Sequence, residues 1–154
     1  MPSSPPSDPA LDERLRLLVT SYRRLTGKDL IADAPADSTA LRATVWNAPR
    51  AIVAHGTEVD PIFFYGNRLA LQLFEMSFEE FARLPSRLSA EPLAQDARVK
   101  LLDKVTQQGY VDGYSGMRIA SSGKRFMITD TTVWNLVDEQ GRHQGQAAVF
   151  VAQE

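Results

Sequence analysis

Residues 113–152 read GYSGMRIASSGKRFMITDTTVWNLVDEQGRHQGQAAVFVA, and their pattern decides the fold class. Three runs that read as strands, Gly113 to Ala120, Arg125 to Leu136 and Gln144 to Ala152, are separated by the turn sequences Ser121-Ser122-Gly123-Lys124 and Asp138-Glu139-Gln140-Gly141. Connections this short join antiparallel neighbours, so the three runs form a meander. Alternation along the middle run puts Phe126, Ile128, Thr132, Trp134 and Leu136 on one face and Met127, Thr131 and Val133 on the other. The last run agrees, with Ala147, Val149 and Val151 on one side and Ala148 and Phe150 on the other. Both faces are partly apolar, which suits a sheet covered on both.

Working outward, the preceding segment from about Leu93 to Gln108 reads as a helix with Val99, Leu102 and Val105 on one face and Gly109 as its stop. Before it, Ser86 to Pro92 is a loop, and Ser77 with Glu80 has the spacing of a capping box ahead of Phe78 and Phe81. Asn67 opens a helix carrying Leu69, Leu71, Leu73 and Phe74. Arg50 to His55 and Ile62 to Tyr65 read as two strands of a hairpin with a loop of about five residues. A short helix through Leu41, Val45 and Trp46 is capped by Asp37 or Ser38 and ended by Pro49. The first helix is capped by Asp8, begins at Pro9 and stops at Gly27, with Leu11, Leu15, Leu18, Tyr22 and Leu25 on one stripe. That stripe packs on its own domain or on a second copy. The order divides the chain into a lead-in (1–8), an N-terminal helix and loop (9–38) and a sheet-containing domain (39–154).

Composition narrows the function. There is no cysteine, so disulfides, thiolate metal sites and thiol nucleophiles are out, and a reducing, cytoplasmic setting is expected. A net charge of −2 gives no basic field for a phosphate backbone, so nucleic acid is not an expected partner. No apolar run approaches the ~20 residues that span a bilayer, so neither is membrane. The chain holds no P-loop, dinucleotide fingerprint or His-Glu-x-x-His, and Gly113-Tyr114-Ser115-Gly116-Met117 breaks the nucleophile-elbow pattern at its last position. No catalytic set is defensible, and the expectation is a protein that is not an enzyme.

Two strands, a helical excursion and a three-stranded meander are the order of a PAS domain, and Tyr65 to Phe74 (YGNRLALQLF) resembles the PAS strand-into-helix signature. The segments His55-Gly56-Thr57, Asp60-Pro61-Ile62-Phe63, Tyr65-Gly66-Asn67-Arg68, Leu84 to Glu91 (LPSRLSAE) and Val133-Trp134-Asn135-Leu136 resemble the MEKHLA domain family, over roughly residues 40–152. That PAS-related family occurs as stand-alone bacterial proteins and as the C-terminal part of plant class III homeodomain–leucine zipper proteins; the bacterial form is the expectation here. The resemblance implies an α+β fold: a PAS-like five-stranded antiparallel sheet with helices on one face and an N-terminal helix outside the sheet. It implies sensing or interaction, and it supplies no ligand.

PAS-like folds form a small cavity between sheet and helices, mostly apolar with a few placed polar groups. Phe63, Tyr65, Phe126, Ile128 and Trp134 suit its wall, or simply fill the core. His55 suits a ligand contact or a pH-sensing role, or pins the following loop. Arg87 can fork onto a carboxylate, or pair with Glu91, or tie its loop to the core. Tyr110, Asp112 and Tyr114 would gate a pocket mouth or form a plain connection. Without cysteine a flavin–thiol adduct is impossible, and no histidine lies on the long helix where haem-binding PAS domains place theirs; no cofactor is expected. Two readings stay open. One is a sensory or ligand-binding domain that takes an unknown small organic molecule and signals through protein contact. The other is a ligand-free module acting through a homodimer or a protein partner.

Overall fold

The structure, a computed structural model, describes residues 4–89 and 95–153. Glu91 and the beginning of the long helix at Leu93 lie outside them.

Helix α1 (Pro9–Thr26) forms where its caps require. Asp8 Oδ1 accepts from Ala10 N at 3.0 Å, and Gly27, at φ 75°, turns the chain in a conformation that favours glycine. Helix α2 (Ser38–Trp46) is capped by Asp37, and a bidentate pair between Arg42 and Asp12 (2.6 and 3.0 Å) joins it to α1. The two first strands are β1 (Ala51–His55) and β2 (Phe63–Gly66). The excursion holds α3 (Arg68–Phe74), α4 (Phe78–Phe81), where the Ser77–Glu80 capping box is complete, a 3₁₀ turn (Ser86–Ser89) and α5 (Gln95–Gln108). The meander is β3 (Tyr110–Ile119), β4 (Arg125–Val137) and β5 (His143–Gln153). All five strands form one antiparallel sheet in the order β2-β1-β5-β4-β3.

Both faces of the sheet are covered. Helices α3, α4 and α5 lie on the inner face. On the outer face, α1 buries Leu11, Leu15, Leu18 and Tyr22 against β4, with Tyr22 edge-on to Trp134 at 4.8 Å. Ser21 Oγ accepts from Val137 N (3.0 Å) and donates to Val137 O (3.1 Å), fixing the helix to the strand end. The apolar stripe of α1 is therefore used within the chain.

Irregularities in the strand pairing change which residues face inward. Asp130 has φ 54°, and the β4–β5 register moves from Thr129↔Val151 to Thr132↔Val149, one extra residue on β4. Ile128 and Val133 then share the inner face, opposite Ala152 and Ala148, while Thr132, Trp134 and Leu136 turn to the outer face under α1. Simple alternation grouped Trp134 with Phe126 and Ile128; the bulge separates them. A second irregularity lies at Phe64: His55 pairs with Phe63 and Ala54 with Tyr65. The connection between these strands runs from Gly56 to Ile62, longer than the five residues expected. Helix α5 is also rotated from the expected face. Arg98, Leu101 and Val105 are buried, while Val99 is 52% exposed.

Candidate functional site

Between the inner sheet face, the 3₁₀ turn and α5 lies a cavity of about 60 Å³. Its apolar wall includes Val53, Phe63, Ile128, Val133 and Phe150. Its polar lining is His55, Ser86, Arg98, Arg118, Thr131 and Gln146, which come from β1, the 3₁₀ turn, α5, β3, β4 and β5.

Arg98 and Arg118 are 8% and 9% exposed. Arg98 donates to Ser86 Oγ; Arg118 donates to Met117 O at 2.8 Å and lies 5.9 Å from the Tyr114 ring centre. Neither has a carboxylate within ion-pair distance among the described residues. Burial first, then the charge of Arg118, pulls Arg98 down to about 10, so it remains a cation at neutral pH. His55 Nδ1 lies 3.0 Å from Gly56 O, which requires the proton on Nδ1 and leaves Nε2 an acceptor; that Nε2 is buried without a partner. Burial lowers the His55 pKa, with Arg98 and His143 acting in the same direction against the Gly56 carbonyl and Glu58.

Gln146 fastens one end of the site. Its Nε2 donates to Asn135 Oδ1 (3.1 Å), Thr106 Oγ1 (3.2 Å) and Leu102 O (3.3 Å), and Asn135 Nδ2 donates to Val105 O (3.0 Å). This network holds α5 to β4 and β5, and so fixes the side of α5 that carries Arg98.

Of the residues expected at a pocket, the structure brings His55, Phe63 and Ile128 to the cavity. Phe126 lies one layer away, edge-on to the lining residue Phe74 at 5.1 Å. Tyr65 and Trp134 do not reach it. They belong to the register row Tyr65–Ala54–Ala147–Trp134, which faces the outer helices. Burial pushes the Tyr65 hydroxyl pKa up, and that hydroxyl has no partner. Arg87 is outside as well: it is half-exposed and paired with Asp60 at 3.1 Å. Tyr110 and Asp112 lie on β3, away from the cavity, and Tyr114 meets Arg118 from the side. Arg98, Arg118 and Gln146 were missed. A signal for Arg98 was present: it stands three and seven residues before Leu101 and Val105, on the helix's apolar stripe. Arg118 is opposite Phe126 and so shares its inward face, a relation only the strand register reveals.

This sheet order and the helical excursion between β2 and β3 define the protein class as a PAS-fold domain. A PAS domain from Colwellia psychrerythraea superposes with a TM-score of 0.64 at 18% identity, covering 76% of this chain and 98% of that one. A light-oxygen-voltage domain studied with a flavin analogue superposes with a TM-score of 0.61 at 16% identity, covering 75% and 85%. Within that class, the MEKHLA domain model matches residues 12–154, and the chain belongs to the MEKHLA domain family. Among curated relatives, the homeobox-leucine zipper protein ATHB-14 of Arabidopsis thaliana is 25% identical over 153 residues, 97% of this chain and 18% of that protein. The chain thus spans under a fifth of that relative's length, and a plant relative offers no support for the expected bacterial source. The described residues contain no helix long and apolar enough to cross a membrane.

Proposed function

We propose that this domain is a sensory module that binds a small molecule in the cavity beneath its sheet and passes occupancy on through protein contact. The observation that carries this reading is the convergence of polar groups from six elements on one small space within a PAS fold. Two buried cations and an unpartnered acceptor there are the placed polar groups of a binding site, beside an otherwise apolar wall. Binding is favoured over catalysis: Ser86 and Ser89 are engaged with Arg98 and with the Ser86 carbonyl, and among the described residues neither hydroxyl is hydrogen-bonded to a base.

The size of the cavity limits the ligand. Pockets for drug-sized molecules run to roughly 300–1,000 Å³, and this one is near 60 Å³. A flavin, the group named with the light-oxygen-voltage neighbour, is larger than this space, and without a cysteine it could form no thiol adduct here. The match covers under a fifth of a homeobox-leucine zipper relative, which is the motive for output by contact with other segments or partners. The ligand-free homodimer is the weaker reading, because the α1 stripe that suggested it is occupied by the chain's own sheet. Native mass spectrometry of the purified protein tests the proposal. A stoichiometric small molecule released on denaturation is the expected result. A ligand-free dimer that takes up no small molecule would replace it with the interaction module.

A further inference from the structure

We propose that the cavity takes a short hydroxycarboxylate, with its carboxylate seated against Arg98 and Arg118 and its hydroxyl donating to His55; this rests on the ligand-binding reading above.

Charge is the first argument. Two guanidinium groups, each nine-tenths buried, line one small space without a carboxylate in ion-pair reach among the described residues. The nearby acids are engaged elsewhere: Asp60 pairs with Arg87, and Glu58 accepts from Ile62 N at 3.1 Å. A buried cation lacking a counter-charge is strongly unfavourable, and two that repel each other are worse. An anion between them removes both penalties, and the planar fork of arginine matches a carboxylate. The hydrogen bonds present, one from each arginine to an uncharged oxygen, leave several guanidinium donors available.

Size is the second. At about 60 Å³, against roughly 300–1,000 Å³ for drug-sized sites, the cavity suits a small ligand. Glycolate and lactate are of that order of size, and a nucleotide is far larger. The apolar wall of Val53, Phe63 and Ile128 accommodates a methyl or methylene but not a second charged end.

The third is His55. With its Nδ1 proton committed to Gly56 O, the buried Nε2 can only accept. A simple carboxylate offers it no donor, whereas a hydroxyl group does. The charged groups that face His55 are Arg98 from α5, Glu58 from the adjoining loop and His143 from β5.

The test is thermal denaturation and titration calorimetry of the full chain with sodium glycolate, sodium acetate and inorganic phosphate as probes, at constant ionic strength. Glycolate is expected to raise Tm saturably with one site per chain, acetate to bind about tenfold more weakly because one hydrogen bond is missing, and phosphate to give no saturable shift. Arg118→Met is expected to melt at or above the parent without ligand, since it removes an unpaired buried charge, and to lose the glycolate response. Should Arg118→Met not fold, Arg118→Lys keeps the charge and loses the fork, and glycolate affinity is expected to fall about tenfold. The proposal is overturned if glycolate gives no saturable response, if phosphate matches it, or if the Arg118 variants bind glycolate like the parent. A neutral molecule released in native mass spectrometry would overturn this inference and keep the sensory reading; an empty protein silent to every probe would take both down.

Discussion

Asn67 offers a sharp test of the fold, because cap and clamp roles separate in one substitution. Its side chain is fully buried. Oδ1 accepts from Ala70 N (3.1 Å), the helix cap the sequence signals, and also from Ile52 N (3.1 Å) on β1. Nδ2 donates to Arg50 O (2.9 Å) and Val45 O (3.2 Å), drawing the end of α2 and the start of β1 onto the same residue. Asn67→Asp keeps a good N-cap and both acceptor contacts, so a cap alone predicts near-neutrality. The structure predicts otherwise. Arg50 O loses its side-chain donor, Val45 O keeps Ala48 N at 3.3 Å, and both face a carboxylate oxygen, at about 1–2 kcal/mol each, or about 2–4 kcal/mol in all. With a urea slope of ~2 kcal/mol/M, the midpoint moves down by about 1–2 M at pH 7. The new carboxylate is buried against carbonyls, so its folded pKa is raised. Its protonated form can donate, and the deficit relative to the parent is largest above that pKa and shrinks as pH falls through it. Urea denaturation of parent and variant, compared at each pH, reads both effects. A variant within about 0.5 kcal/mol of the parent at pH 7 would refute the clamp.

Three further outcomes follow from the same geometry. The folded His55 pKa is lowered, so its stabilising contribution is complete above the unfolded value of 6.5 and declines as pH drops below it; urea midpoints from pH 8 to 5 should fall less in His55→Asn, which keeps a donor for Gly56 O, with His143 supplying the remaining slope. Gly145, at φ 137°, would place a Cβ 2.2 Å from His55 O, so Gly145→Ala should cost about 1–3 kcal/mol or more and part β5 from β1 beside the cavity, as read by exchange of the β1 amides; protection equal to the parent's would contradict the register. Trp134→Ala, on the outer face, should cost about 3–5 kcal/mol and loosen α1, whereas Val99→Ala should stay within about 0.5 kcal/mol; thermal denaturation of the pair would expose a misplaced α5 if Val99→Ala proved costly.

The sequence by itself determined the elements and their order. Asp8, Asp37, Asn67 and the Ser77–Glu80 box announce helix starts because capping involves residues two or three apart in the chain. The turns around Gly123 and Gly141 announce the meander for the same local reason, and helix, hairpin, excursion and meander in that order leave few alternatives to a PAS-type sheet. His55, Phe63 and Ile128, read from the sequence as candidate wall residues, do line the cavity. Which residues meet across the fold was decided only by tertiary structure. A strand has period two, so the single extra residue at Asp130 carries Trp134 to the other side of the sheet, and the bulge at Phe64 does the same for Tyr65. Whether a bulge forms depends on the partner strand's register, a relation between β4 and residues about twenty positions away; an aspartate tolerant of positive φ was the one local hint. The convergence of Arg98 and Arg118 is non-local in the same way. One helix and one strand, each with its own periodicity, turn a cation toward a common space, and only the packing of α5 on the sheet makes those two choices coincide.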